Sequence, residues 1–128
     1  MNSLFTVTNT PEAPAAIGPY SQAILVNGML YCSGQIPLSP QTGALVGETI
    51  EEQTKQAIAN VGALLRANGI GFENVVKTTC FLANMSDFAA FNAVYETAFV
   101  SKPARSCVAA KDLPKGALCE IEVIAVKP

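Results

Sequence analysis

The sequence predicts one α+β domain: a mixed six-stranded sheet with two helices on one face, in the order βββαβαββ. Three observations carry this. Asn27-Gly28 sits between two short apolar runs, the strongest short-range hairpin signal. Two stretches repeat apolar residues at helical spacing, one of them behind a capping box. The last stretch, Ala117 to Val126, alternates cleanly, with Cys119, Ile121, Val123 and Ala125 on one side and Leu118, Glu120, Glu122, Ile124 and Val126 on the other. The first side suits a cover of helices. The second mixes carboxylates with large apolar residues, so it is neither an ordinary core face nor an ordinary solvent face.

The elements follow in order. Leu4 to Val7 reads as a short edge strand. Residues 10–21 hold three prolines and a glycine, so they form an ordered loop with Tyr20 near its end. Ala23 to Val26 and Met29 to Ser33 are the hairpin strands. In the second, Leu30, Cys32 and Gly34 are expected on one face and Tyr31, Ser33 and Gln35 on the other. A turn-rich loop covers residues 36–43. Thr49 and Glu52 make the capping box of a helix that runs to about Ala67, with Ile50, Ala57, Ile58, Val61, Leu64 and Leu65 as its apolar stripe and Asn68-Gly69 as its end. Gly69 and Gly71 lack the rest of any nucleotide fingerprint. Val75 to Leu82 is rich in Val, Thr, Cys and Phe and reads as a strand. Ser86-Asp87 caps a second helix, about Asp87 to Phe99, that buries Phe88, Phe91, Val94 and Tyr95. Asn92 lies beside that face, one turn after Phe88. Ala104 to Ala109 is the fifth strand, Lys111 to Gly116 turns the chain, and the alternating segment closes the sheet.

Arg105 stands out in this plan. It is one of only two arginines, set in a short apolar strand behind Pro103, and a half-buried guanidinium needs a partner. Either it pairs with a carboxylate on a neighbouring strand, Glu120 or Glu122, or it grips the carboxylate of a ligand through two parallel hydrogen bonds.

Composition excludes several classes. Net charge is −2 without a basic run, which argues against a phosphate-tracking nucleic-acid surface. No apolar run is long enough for a membrane span, and the opening residues lack the basic start of a signal peptide. The chain has no histidine, which removes Ser-His and Cys-His pairs and His-based zinc sites. Cys32, Cys80, Cys107 and Cys119 are too widely spaced for a metal knuckle and sit in apolar strands, so they read as buried free thiols of a reducing, cytoplasmic compartment. Only 14% of residues are charged, against roughly 25% in a typical soluble domain. Part of the surface is therefore expected to be covered by other copies of the chain, with polar pockets left between them.

Five blocks resemble one family. Residues 15–22 (Ala-Ala-Ile-Gly-Pro-Tyr-Ser-Gln), 33–37 (Ser-Gly-Gln-Ile-Pro), 91–95 (Phe-Asn-Ala-Val-Tyr), 103–108 (Pro-Ala-Arg-Ser-Cys-Val) and 120–126 (Glu-Ile-Glu-Val-Ile-Ala-Val) are similar, in order and over nearly the whole chain, to the signature blocks of the RidA/YjgF/UK114 family. The resemblance implies one domain over residues 1–128, a chorismate-mutase-like fold, and a homotrimer with active sites in the clefts between subunits. It implies hydrolysis of reactive 2-imino and 2-enamino acids, such as 2-iminobutanoate and 2-iminopropanoate, to 2-keto acids and ammonia. Tyr20, Ser33, Asn92, Arg105, Cys107 and Glu120 fall on the family's pocket positions. The chain departs from the family in one region. The segment between Asn92 and Arg105 is several residues shorter, and Lys102 precedes Pro103 where an aromatic residue is usual.

The chemistry suits these residues. The carbon of a 2-imino acid is already electrophilic, so water attacks it without a metal, a histidine or a cofactor. The site has to hold the carboxylate, place a water and move protons. Arg105 fits the first task and Glu120 the other two. Tyr20, Ser33, Asn92 and the main chain around Cys107 supply walls and hydrogen bonds; the Cys107 thiol need not react. Two other readings compete. A chorismate-mutase-like isomerase needs more than one strong cation for its dianion, and the sequence places only Arg105. A non-catalytic trimer that binds or senses small acids in the same cleft uses the same arginine.

Overall fold

The computed structural model describes residues 4–128, so the first three residues of the opening read for a leader lie outside it. Six strands and two helices follow the expected order: β1 Thr6–Thr8, β2 Ala23–Val26, β3 Met29–Cys32, α1 Ile50–Ala67, β4 Val75–Leu82, α2 Phe88–Ala98, β5 Ala104–Ala109 and β6 Cys119–Val126. The sheet runs β1-β2-β3-β6-β4-β5. Its one parallel pair is β4 with β5, joined across α2.

The helix-covered face is the core. Leu30, Cys80, Leu82, Cys119, Ile121 and Ala125 are fully buried there beneath Val61, Leu64, Leu65 and Phe91 of the helices. The other face is open, and its apolar side chains include the exposed Val7, Tyr31, Val108 and Val126. The capping box forms as read: Thr49 Oγ1 accepts from the Glu52 amide at 3.1 Å, and Glu52 Oε1 accepts from the Thr49 amide at 3.2 Å. The Glu48 amide, the Thr49 amide and the Thr49 hydroxyl all donate to the Glu52 carboxyl and hold it below the usual carboxylate range.

Four local expectations need correction. Strand β1 is Thr6–Thr8 rather than Leu4–Val7, because Thr8 is buried and its hydroxyl accepts from Asn68 Nδ2 at 2.9 Å. The second helix starts at Phe88 without a side-chain cap. A 3₁₀ turn over Met85–Asp87 serves its first amides instead, with the Asp87 amide donating to the Asn84 carbonyl at 3.1 Å. Of its expected buried face, Val94 and Phe88 are only half-buried.

The third strand gives the last correction. It ends at Cys32, and its alternation slips by one residue beyond that point. Tyr31 lies opposite Ile124, but Gln35 bridges to Ile121, which leaves one extra residue on the β3 side. Gln35 therefore turns into the core at 6% exposure, and Gly34 turns toward the open face, the reverse of the regular pattern.

Candidate active site

The six candidate residues fall into two clusters on opposite faces of the sheet. Arg105 and Cys107 lie in register with Thr78 and Cys80 of β4, both fully buried under the helices, so the arginine points to the helix side at the β5 edge. Its Nη1 donates to Asn92 Oδ1 at 2.7 Å. Its guanidinium lies 4.8 Å from the Tyr95 ring centroid and 5.4 Å from that of Phe88. Phe88, Asn92 and Tyr95 are one helical stripe at i, i+4 and i+7, so α2 supplies the whole cradle. Tyr95 is itself fixed by a 2.7 Å hydrogen bond with the Thr78 hydroxyl.

This geometry removes the cross-strand ion pair. Strand β4 separates β5 from β6, and Glu120 and Glu122 project from the other face. Among the described residues the one ion pair joins Arg66 to Glu12 at the exposed surface. Arg105 thus has aromatic and amide partners but no carboxylate.

The second cluster holds Tyr20, Ser33 and Glu120, which line a cavity of about 720 Å³ between the loops around residues 14–22, 33–43 and 114–115. Ser33 is fixed by donating from Oγ to the Ser21 carbonyl at 2.6 Å. Tyr20 is largely exposed at the rim. Glu120 is half-buried, and its carboxylate accepts no hydrogen bond from any described residue. Burial pushes its carboxyl above the usual range, and the neighbouring Glu122 adds to the effect. The carboxylate lies over Gly34 in this rotamer: a β-carbon there would meet Glu120 Oε2, the mobile end of that side chain, and displace it.

Gly34 does not need a positive φ, so alanine is permitted by the backbone and meets only the Glu120 side chain. Gly34→Ala is expected to keep the fold and lower turnover about ten- to a hundredfold by swinging Glu120 out of place. A double-mutant cycle with Glu120→Ala checks this, because the glycine effect should vanish once the carboxylate is gone.

Residues that the sequence reading passed over hold the walls. Gln22 Nε2 donates to the Thr10 carbonyl at 3.0 Å and the Pro14 carbonyl at 2.9 Å, and its Oε1 accepts from the Thr10 amide at 2.8 Å. Asn60, 1% exposed, donates to the Ile36 and Leu38 carbonyls at 3.1 and 2.9 Å. Gln53 ties the Gly47 carbonyl and the Leu118 amide at 3.1 and 2.8 Å. The available signal was their spacing: Gln53, Ala57, Asn60 and Leu64 fall on one helical line, so the two amides interrupt an apolar face.

The four cysteines are free. Burial pushes the thiols of Cys32 and Cys80 up to about 12 and that of Cys119 to about 11. Cys107 is also raised by burial, although the Arg105 charge opposes the shift. All four are protonated at neutral pH, which makes them poor nucleophiles. No group of three or more metal-ligating side chains occurs among the described residues, and none of their helices is long and apolar enough to cross a membrane.

These features define a class: a small α+β domain of one mixed sheet, with an unpaired arginine on one face and an enclosed carboxylate on the other. A family profile described as Endoribonuclease L-PSP matches residues 10–127. A Mus musculus protein named 2-iminobutanoate/2-iminopropanoate deaminase is 50% identical over 94% of this chain and 90% of its own length. The candidate regulator AldR of Lactococcus lactis is 55% identical over 91% of this chain and 93% of its own. The crystal structure of the E. coli YjgF gene product superposes with a TM-score of 0.91 at 42% identity, covering 96% of this chain and 99% of that one. The chain belongs to the RidA/YjgF/UK114 family.

Proposed function

We propose that the protein hydrolyses 2-imino acids to 2-keto acids and ammonia in clefts between the subunits of a homotrimer. Arg105 of one subunit grips the substrate carboxylate, while Glu120 of the next, with Tyr20 and Ser33, faces the imino carbon. Water adds to that carbon as Glu120 takes its proton. Glu120 passes that proton to nitrogen, then takes the proton of the remaining hydroxyl as it becomes the carbonyl; the C–N bond breaks and ammonia leaves. No metal, cofactor or covalent intermediate is required. The carrying observation is Glu120: a half-buried carboxylate without a hydrogen-bond donor, seated over Gly34 and held above its usual pKa. The apolar open face around Tyr31, Val108 and Val126 supports the trimer, since it leaves large side chains uncovered in one chain. The names of the mammalian relatives support the substrate class.

The test is complementation. Arg105→Ala and Glu120→Gln subunits, each strongly impaired alone, are co-expressed so that they assemble together. A site shared between subunits restores about a quarter of wild-type activity, because each interface has even odds of receiving each intact half. A site contained in one chain restores none. Sedimentation equilibrium on the wild type should give three chains per particle, and a stable monomer would refute the shared cleft.

A further inference from the structure

We propose that Lys102 and Arg105 form a two-cation pocket that takes a small dianionic acid, so that 2-imino and 2-keto dicarboxylates are the preferred ligands. This rests on the reading of Arg105 as the carboxylate grip and adds the substrate class. Both residues line one concavity of about 480 Å³, together with Asn92, Tyr95, Phe99 and Glu96. Neither cation belongs to an ion pair among the described residues. Arg105 commits one nitrogen to Asn92 and one face of its guanidinium to the rings, which leaves further N–H donors for a ligand. The sequence pattern places one strong cation here, Arg105; the structure brings a second, Lys102.

The backbone of Lys102 also points to a built position. Its φ is 51°, in the left-handed region that side chains with a β-carbon avoid, and it directly precedes Pro103, which disfavours compact conformations for the residue before it. The turn is nevertheless fastened at two points. The Lys102 amide donates to the Phe99 carbonyl at 3.1 Å, and Ser101 Oγ donates to the Val75 carbonyl at 2.7 Å. Glycine or asparagine would meet the turn's needs more cheaply. A strained, fastened lysine beside an unpaired arginine is the arrangement expected of a ligand clamp. The chain carries a net charge of −2, so a dianion is held only where cations are gathered locally. Glu96 is the one carboxylate in the lining and opposes such a ligand.

The experiment compares the affinities of 2-oxoglutarate and 2-oxobutanoate by calorimetry, and the hydrolysis of the imines formed from glutamate and 2-aminobutanoate. The wild type should favour the dicarboxylate by about tenfold, a charge-assisted contact discounted for exposure. Lys102→Asn, which removes the charge and suits the left-handed turn, should bring the ratio to about parity. Glu96→Gln should raise it, and Lys55→Gln, an exposed residue of α1 outside the pocket lining, should leave it unchanged. A wild type without a dicarboxylate preference, or a Lys102→Asn variant that weakens both acids equally, overturns the proposal. If keto acids bind with the expected ratio but neither imine is hydrolysed, the two-cation pocket stands and the deaminase reading falls. If both imines are hydrolysed at equal efficiency, the pocket falls and the deaminase reading stands.

Discussion

Arg105→Ala is expected to lower kcat/KM for imine hydrolysis by about thirty-fold to several thousand-fold, the ~2–5 kcal/mol lost with a charge-assisted pair. Keto-acid affinity should fall in parallel, because the interaction is made in the ground state as well as the transition state. Arg105→Lys should recover little of it. Lysine keeps the charge but loses the planar fork, and it cannot reproduce the guanidinium held 4.8 Å from the Tyr95 ring and fixed by Asn92. Rates and keto-acid affinities for both variants, with assembly checked, decide the matter. An Arg105→Ala protein that binds keto acids as well as the wild type would reduce Arg105 to a structural partner of α2.

Glu120→Gln is expected to separate chemistry from binding. It keeps the shape but accepts no proton, so turnover should drop by about a hundredfold or more while keto-acid affinity stays near wild type. In the wild type, turnover should rise with pH through an apparent pKa above the ordinary carboxylate range, because burial, reinforced by Glu122, raises the Glu120 carboxyl. The same shift fixes the sign of a stability effect. A carboxyl with a raised folded pKa binds its proton more tightly in the folded chain than in the unfolded one. Its ionisation therefore costs stability as pH climbs from the unfolded value through the folded one, and the cost persists at neutral pH. Glu120→Gln should melt at a higher temperature than the wild type at pH 7 and show little difference below the unfolded pKa. Loss of turnover together with a lower melting temperature would mark Glu120 as part of the fold and not of the chemistry.

The sequence made most of the fold legible because its strongest signals are local. Asn27-Gly28, the Thr49-Glu52 box and the alternation of β6 each act within a few residues and appear where they were read. The candidate site residues could be named from the sequence, but their arrangement in the fold could not. Pairing Arg105 with Glu120 or Glu122 assumed that their strands are neighbours on a shared face. Inserting β4 between them, with β5 parallel to it, sends the arginine to the other side. Strand order is a long-range property that no short pattern encodes. The roles of Gln22, Gln53 and Asn60 were hidden for a similar reason: what they satisfy is loop backbone twelve or more positions away in several cases, and those loops carry no periodicity.

The extra residue between Tyr31 and Gln35 gives this site an unusual vulnerability. Were the β3–β6 ladder to run on from Tyr31 in its own register without that bulge, Gly34 instead of Gln35 would oppose Ile121, and the two residues would exchange faces. The gap that receives the Glu120 carboxylate would close although every chemically active side chain remained. In this scaffold, then, the proposed activity can be lost or regained through a one-residue change of strand register, and two relatives with the same candidate side chains need not share the chemistry. A comparison that aligns the motifs while ignoring that single-residue spacing would miss the difference.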